Sequence, residues 1–293
     1  MDIKQLNYFV TVSNQLSYSK AAQKLHISQP SLSNAIKNLE REVGSPLLER
    51  STRKIELTDA GKILYEKSIL LLSQMNILKK EMEEVKLTGS GELIIGMIES
   101  VKHWIPKVIH DYQGRFPTIN IKLIEVLSGK AVKDSLRKYH THLIITNQYI
   151  REEDFESFPL YDERLVLVMH RNHRLAEKES IHLKELEGEP FIISKVGFQT
   201  REDILTAFKL EQAAPKIKFE IERFETALSL VRENLGITII PEHYLSGPKD
   251  DSIVRKIIDS KALERTVYLT FMKNRYLAPS VQTFLENIRR NFA

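Results

Sequence analysis

The feature that most constrains the fold lies at residues 19–53, where two short amphipathic segments are separated by a turn and followed by a basic hairpin candidate. Two alanines in the first segment allow close helix approach, and His26 and Ile27 suit the turn. Ser28 can cap the second helix by accepting a hydrogen bond from an amide of its first turn, and Pro30 lies where a missing N–H costs nothing. This arrangement predicts a helix-turn-helix.

The second helix is predicted to have one apolar and one polar face. Apolar residues that recur at steps of three or four should pack inward: Leu32, Ile36, Leu39 and Val43. The outward face carries small, amide and basic side chains: Gln29, Ser31, Ser33, Asn34 and Lys37. Because Gln and Asn can bond base edges and Ser can bond phosphates, this face suits a DNA major groove. An ordinary surface helix is the alternative.

A candidate wing follows this helix. Residues 46–48 are expected to be buried, and residues 55–57 alternate as a short strand does. Between them Arg50, Arg53 and Lys54 come in quick succession, which predicts a basic tip that meets the sugar-phosphate backbone. The predicted DNA contacts are therefore Ser28, Gln29, Pro30, Ser31, Ser33, Asn34, Lys37, Arg50, Arg53 and Lys54.

Twenty positions of the first 61 residues, in this order, resemble the LysR-type transcriptional regulators: Leu6, Tyr8, Phe9, Ser19, Ala21, Ala22, Leu25, Ser28, Gln29, Pro30, Ser33, Ile36, Leu39, Glu40, Gly44, Leu47, Arg50, Leu57, Thr58 and Gly61. The resemblance continues more loosely to residue 293. It implies a regulator that binds double-stranded promoter DNA through a winged helix-turn-helix and responds to a small-molecule effector. RNA polymerase is a further candidate partner.

Composition sets further bounds. Zero Cys excludes disulfides, thiolate metal sites and cysteine nucleophiles. The net charge is +4, and residues 1–58 hold eight Lys or Arg against five Asp or Glu, so most of the excess lies in the DNA-binding segment. No stretch approaches the roughly 20 apolar residues of a membrane span, and the N-terminus does not resemble a signal peptide. We expect a cytoplasmic protein.

A long helix is predicted over residues 59–86, capped by Thr58 and followed by a glycine-containing hinge at 89–91. Apolar residues at heptad-like spacing form a seam: Leu64, Leu71, Met75, Leu78, Met82 and Val85. A helix of 28 residues is about 42 Å long, too long to be buried by a small winged domain, so the seam needs a partner helix. A second copy of the chain is the economical partner. The resemblance implies antiparallel linker helices in a dimer, and a tetramer built from two types of interface.

From residue 92 onward short apolar strands alternate with amphipathic helices, which predicts a parallel α/β sheet in two lobes with a cleft between them. The resemblance implies a two-lobed, periplasmic-binding-protein-like (type 2) α/β effector domain. We expect a winged helix-turn-helix at 1–58, a linker helix and hinge at 59–90, and an effector domain at 91–293. Its first lobe would comprise 91–161 and 267–293, and its second lobe 162–266.

Ligands of open α/β sheets bind beyond the carboxyl ends of strands, near helix N-termini. The loops in such places, matched to the family pattern, predict these effector contacts: Ser100, Lys102, Ser128, Gly129, Thr146, Asn147, Thr200 and Phe224. Helix capping is the alternative role for Ser100, Ser128 and Thr200. Because Lys102, His103 and Lys130 flank two of these loops, we expect an anionic metabolite, with solvated surface lysines as the alternative.

Two positions depart from the family pattern. His142 stands where many members carry Asp, and Asn234, Leu235 and Gly236 replace the familiar Gly-Leu-Gly. Both lie near the scaffold of the predicted pocket, so they bear on its residues more than on the fold.

Catalytic, metal and cofactor sites are not expected. The sequence lacks GxSxG, GxxxxGK, GxGxxG and HExxH motifs, so the histidine pairs at 140 and 142 and at 170 and 173 are poor metal candidates. A surface turn explains the acidic run at 152–154 better than paired acid-base catalysis does. The rival interpretation is a solute-binding or enzymatic protein with the same two-lobed fold, and the first ninety residues disfavour it.

Overall fold

A computed structural model describes residues 1–50, 55–86, 91–246 and 250–292. Contacts divide the chain into two units, Met1–Glu83 and Glu84–Ala293. In the first unit the elements are α1 (Ile3–Gln15), α2 (Tyr18–Lys24), α3 (Gln29–Val43), β1 (Leu48–Arg50), β2 (Ile55–Leu57) and α4 (Asp59–Lys86), whose last three residues belong to the second unit. The predicted helix-turn-helix, hairpin and long helix are all present.

The N-terminal core forms where the three short helices meet the hairpin. Its fully buried members include Phe9, Leu32, Ile36, Leu39 and Leu47. Strands β1 and β2 pair antiparallel, so residues 48 to 50 lie opposite residues 57 to 55. The Glu40 carboxylate accepts the backbone N–H of Leu47 at 2.9 Å, which ties the base of the wing to α3.

Two residues of this unit that were predicted to be buried are exposed. Val43 is exposed because α3 ends there, with Gly44 turning the chain at φ 75°. Pro46 is also exposed, whereas Leu47 and Leu48 beside it are buried as expected. The Thr58 hydroxyl accepts the N–H of Gly61 at 2.9 Å and donates to the Pro46 carbonyl at 2.7 Å, so it joins the start of α4 to the wing.

The second unit is built on one large sheet. Its strands are β3 (Gly91–Met97), β4 (Ile119–Glu125), β5 (Leu143–Thr146), β6 (Phe155–His170), β7 (Pro190–Ser194), β8 (Lys216–Ile221), β9 (Ile237–Pro241), β10 (Ile253–Lys256) and β11 (Glu264–Met272). Its α-helices are α5 (Ile105–Gln113), α6 (Gly129–Arg137), α7 (Gln199–Leu210), α8 (Phe224–Arg232) and α9 (Pro279–Asn291). Short 3₁₀ helices lie at Glu99–His103 and Glu242–Leu245.

The strand order is β4-β3-β5-β11-β6-β9-β7-β8, and β10 pairs with β6. The sheet is mixed, which corrects the expectation of a parallel one. Strand β3 runs parallel to β4 and β5, and β7 runs parallel to β8 and β9, but β6 and β11 run antiparallel to each other and to their other partners.

Strands β6 and β11 connect two separate cores. One core lies around β3, β5 and α9 and includes Leu93, Val267 and Phe284. The others lie around β7, β9, α7 and α8, and they include Phe191 and Val166. We call these halves the first lobe and the second lobe. The long β6 passes from the first to the second, and β11 returns.

The two departures from the family pattern have structural explanations. The buried His142 accepts the backbone N–H of Ile94 through Nδ1 at 2.8 Å, joining the start of β5 to β3. Asn234 adopts φ 56°, a left-handed conformation that Asn tolerates better than most residues. A Cβ at Gly236 would lie 2.4 Å from the Pro190 carbonyl oxygen, so glycine is required there. No helix in the described ranges is long and apolar enough to cross a membrane.

Candidate nucleic-acid interface and effector cleft

The outward face of α3 is a row of polar side chains that begins at the helix N-terminus. Gln29, Ser31, Asn34 and Lys37 are exposed, and Ser33 is half-buried. Ser28 caps the helix by accepting the N–H of Ser31 at 3.3 Å. Because α3 is anchored by its buried face, this row is held on a rigid element.

Part of the row is positioned by hydrogen bonds, and part has no partner. The Ser19 hydroxyl of α2 donates to Gln29 Oε1 at 3.0 Å, which orients the amide. The hydroxyls of Ser28 and Ser31 lie 2.7 Å apart. The side chains of Asn34 and Lys37 make no hydrogen bond or ion pair with any residue the structure describes. Such groups are available to an external polar partner.

The wing carries the other predicted contacts. Arg50 closes β1, but its side chain is not among those described, and Arg53 and Lys54 lie outside the described residues. The strands on either side form the expected hairpin, so its connecting segment spans the positions predicted to meet phosphates.

The predicted seam of α4 divides into two parts. Leu64 is half-buried and packs on the N-terminal core. Farther along, Leu71, Leu78, Met82 and Val85 are about half exposed, at 49, 51, 51 and 48%, and Met75 is half-buried. Four large apolar side chains exposed on one helix face form a surface that a second helix could cover.

The cleft between the lobes brings together four of the eight predicted effector contacts. A narrow cavity of about 20 Å³ is lined by Ile98, Glu99, Ser100, Leu127, Asn147, Phe198, Gln199, Thr200, Phe224 and Arg265. We call this cavity the cleft. Its volume holds about one water molecule. Ser100 Oγ and Asn147 Oδ1 are buried and have no hydrogen-bond partner among the described residues, so two polar atoms of the lining are unsatisfied.

Arg265 dominates the electrostatics of the cleft. Its Nε and Nη2 donate to Glu163 Oε2 at 2.9 and 2.7 Å, and its Nη1 donates to Thr200 Oγ1 at 3.0 Å and Asp203 Oδ2 at 3.1 Å. The Glu163 side chain is fully buried, and Arg265 is 10% exposed. Two carboxylates therefore already compensate the guanidinium of Arg265.

Two further ionisable groups have raised pKa values: Glu99, which lines the cleft, and Tyr161, which lies near Glu163. Burial raises the pKa of Glu99, although its carboxylate accepts the backbone N–H of Phe224 at 3.3 Å. Burial also raises the pKa of Tyr161, and the negative charge of Glu163 adds to the increase. The Tyr161 hydroxyl accepts the indole N–H of Trp104 at 3.2 Å. At the cleft the carboxyl groups of Glu99, Glu163 and Asp203 therefore outnumber the guanidinium of Arg265.

The other four predicted contacts lie elsewhere or beneath the surface. Ser128 caps α6 by accepting the N–H of Ala131 at 3.2 Å, which is the alternative role given for it above. Gly129 opens the same helix, and a Cβ there would lie 2.3 Å from Gln148 Oε1. Thr146 is fully buried at the end of β5 and does not line the cleft. Lys102 points into a different, larger cavity. Lys102 is therefore not part of the described lining of the cleft.

The sequence interpretation missed Glu99, Gln199 and Arg265. Glu99 precedes the predicted Ser100, and Gln199 precedes the predicted Thr200. Arg265 lies in β11 directly opposite Glu163 of β6, so only knowledge of the strand register would have revealed this pair.

Comparison with known proteins agrees with both units. The family profile for the bacterial regulatory helix-turn-helix protein of the lysR family matches residues 3–62, and that for the LysR substrate binding domain matches residues 88–293. The HTH-type transcriptional regulator AlsR of Bacillus subtilis (strain 168) is 32% identical over 248 residues, which cover 82% of this chain and 80% of AlsR.

Solved structures show the same fold. Full-length CbnR complexed with its target DNA has a TM-score of 0.66 and 22% identity, covering 99% of each chain. The regulatory domain of Synechocystis PCC6803 CcmR in complex with 2-PG has a TM-score of 0.64 and 22% identity, covering 69% of this chain and 98% of that domain. With an N-terminal helix-turn-helix, a LysR-type effector-binding domain and a regulator among its relatives, the chain belongs to the LysR family of transcriptional regulators.

Proposed function

We propose that α3 of this regulator reads a DNA major groove through Gln29 and Asn34, with Ser28, Pro30, Ser31, Ser33 and Lys37 completing the contact surface. The observation that carries the proposal is the exposed polar row on a helix whose opposite face is buried. Gln and Asn side chains can pair with the N6 and N7 edge of adenine in the major groove. The hydrogen bond from Ser19 would restrict the Gln29 side chain to fewer conformations before DNA binds. The DNA complex of CbnR, a protein of the same fold, supports this role.

The wing would supply the contacts that do not depend on sequence. Arg50, Arg53 and Lys54 are three cations within five residues, and each can pair with a phosphate. Such contacts fix the register of the domain on the duplex while α3 reads the bases. Binding of this kind would take place in the cytoplasm, with RNA polymerase as a further partner at the promoter.

The exposed stripe of α4 would pair two copies of the chain. Leu71, Leu78, Met82 and Val85 present apolar surface, and Met75 lies in the same stripe. A dimer places two recognition helices on two half-sites. A tetramer would need a second type of interface. The domain boundaries at residues 58 and 90 belong to this proposal, with α4 as the linker.

The effector would bind in the cleft, where Ser100, Asn147, Thr200 and Phe224 converge from both lobes. The 2-PG complex of the CcmR regulatory domain supports a small-molecule site in such a domain. Because the cleft holds about 20 Å³, effector binding would open the lobes relative to each other. Regulation then requires the effector to bind the two lobe arrangements with different affinity. We propose no enzymatic step.

The first test is fluorescence anisotropy of DNA from immediately upstream of the chain's own gene, against a scrambled duplex, over a salt series. We expect tighter binding to the upstream DNA at every salt concentration. Equal affinity for both duplexes would place the operator elsewhere, and no binding to either at low salt would refute the DNA-binding role.

A second test concerns the linker. Leu71→Glu together with Leu78→Glu would place unpaired carboxylates in the paired seam, and we expect the dimer dissociation constant to rise by more than about a thousandfold. Ser73→Glu with Asn76→Glu adds the same charge to the opposite face of α4 and should leave the dimer intact. Light scattering distinguishes the outcomes, and an unchanged oligomer in the leucine variant would refute the seam.

A further inference from the structure

A second cavity, of about 650 Å³, lies in the second unit apart from the cleft. Small-molecule sites usually measure about 300 to 1,000 Å³. Its walls come from the 3₁₀ helix Glu99–His103 of the first lobe and from α8, the 3₁₀ helix Glu242–Leu245, β6 and β10 of the second. We call it the outer cavity. It is much larger than the cleft, and the two cavities share no lining residue among those that the structure describes.

The lining of the outer cavity is apolar with cations around it. Val168, Leu228, Leu245, Ile253 and Val254 supply the apolar surface. The basic side chains are Lys102, His103, Arg232, Arg255 and Lys256, against the acidic Glu225 and Asp250. An apolar surface with an excess of cations suits an organic anion whose body is apolar.

Two of the cations already have partners. Arg232 Nε lies 2.7 Å from Asp250 Oδ2, and Arg255 Nη1 lies 3.8 Å from Glu242 Oε1. The ammonium groups of Lys102 and Lys256 form no ion pair with any residue in the described ranges. The charge that a ligand could compensate is therefore concentrated at these two positions.

Lys102 is held in a specific place. Its Nζ lies 3.2 Å from the centre of the Tyr244 ring, a cation–π contact across the two lobes. Beside it, His103 Nε2 lies 3.1 Å from the Tyr244 carbonyl oxygen. Burial lowers the pKa of Lys102, and the nearby carboxylates of Glu225 and Glu99 oppose the decrease.

We propose that the outer cavity binds a small organic anion, with the acidic group between Lys102 and Lys256 and the apolar body on the surface formed by Leu228, Ile253 and Val254. Lys102 belongs to the first lobe and the other four residues belong to the second. A ligand at this site would therefore bridge the lobes at a place other than the cleft. It would favour the lobe arrangement in which both lysines reach the anion, and so act as a second input to the regulator.

The test is isothermal titration calorimetry of the full chain with 1-naphthoate and, as a matched uncharged ligand, 1-naphthamide. We expect naphthoate to bind and naphthamide to bind at least about tenfold more weakly, because only the carboxylate can pair with the lysines. Lys102→Met together with Lys256→Met keeps the apolar stems, removes both ammonium groups and should weaken naphthoate binding by about tenfold or more.

Two controls locate the site. Lys107→Met with Lys216→Met removes two exposed charges elsewhere and should leave naphthoate affinity unchanged, as should Asn147→Ala in the cleft. Each variant is first required to keep the wild-type thermal midpoint within a few degrees. The proposal is overturned if naphthoate does not bind, if naphthamide binds as tightly, or if the Asn147 variant loses binding while the Lys102 and Lys256 variant keeps it. DNA affinity measured without ligand does not enter these outcomes, so the DNA-binding proposal is tested separately.

Discussion

The outer face of α3 and the cleft between the lobes differ in whether their polar groups are already bonded to other groups of the protein. On α3, Asn34 and Lys37 are exposed and have no partner among the described residues, so a ligand finds them available. In the cleft, the Arg265 side chain is only 10% exposed and is already bonded to Glu163, Asp203 and Thr200. A site of the first kind binds without rearrangement, whereas a site of the second kind has to exchange internal bonds for bonds to its ligand.

This difference suits the two tasks. A DNA-reading surface gains affinity when its groups are preorganised on a rigid helix. A sensor needs two states of similar free energy, and a buried network that can be rearranged provides them. Four predictions test the contrast, starting with the largest expected effect.

Arg265→Met should destabilise the second unit by about 3 to 5 kcal/mol, because it leaves the fully buried Glu163 without its main counter-charge. The measurement is urea unfolding followed by the fluorescence of Trp104. This is the single Trp of the chain and it lies in the second unit, so the signal reports that unit.

Adding Glu163→Gln to Arg265→Met removes both charges and should restore most of the lost stability. If the single variant unfolds at the wild-type urea concentration, the guanidinium is not needed to compensate Glu163. Arg265 would then be available to a charged ligand, as the polar groups on the outer face of α3 are.

Gln29→Ala should reduce operator binding by about 1 to 3 kcal/mol and leave binding to random DNA nearly unchanged. Anisotropy on both duplexes measures the difference. Asn38→Ala is the matched control, since Asn38 is an exposed amide farther along the same helix and is not among the predicted DNA contacts. Equal losses on operator and random DNA would remove Gln29 from base reading and indicate that α3 serves only to position the domain.

Arg53→Ala should weaken both duplexes alike and reduce the slope of log affinity against log salt by about 1, the value for one lost phosphate contact. The salt series for the Gln29 variant provides the contrast, because loss of a base contact should leave the slope unchanged. A wild-type slope in the Arg53 variant would refute the phosphate contact.

Local signals account for what could be predicted. The cap at Ser28, the spacing of Leu32, Ile36 and Leu39 and the heptads of α4 each lie within one element, and the structure reproduces those elements with nearly the predicted bounds. The prediction that Val43 is buried was wrong. Val43 has the right spacing in the apolar repeat, but the helix ends at this residue. The periodicity of apolar residues does not show at which residue the core stops covering the apolar face of a helix.

The cleft could be predicted only in part because its contacts join distant segments. Glu163 lies in the first half of β6, which begins at Phe155, and it faces Arg265 of β11. Residues 155–163 include Pro159 and do not have the sequence of a buried strand. Lys102 was placed near the cleft because it follows Ser100, but the 3₁₀ turn directs the two side chains into different cavities.

Glu99→Gln should give the smallest effect, and its sign follows from the burial of the Glu99 carboxyl group. Burial raises the pKa of Glu99, so folding disfavours its ionised form. The stability that protonation provides is fully present below the pKa of the unfolded chain and is lost as the pH rises through the folded pKa. At pH 7 the wild type therefore carries a cost that the neutral amide avoids, while the amide oxygen can still accept the N–H of Phe224.

We expect the variant to melt higher at pH 7 by on the order of a degree, with the difference vanishing towards pH 4. Trp104 fluorescence during heating measures both midpoints. A lower midpoint at pH 7 would mean that the Glu99 charge is well compensated in the folded state, and the cleft would then resemble α3 in offering a group ready for a ligand.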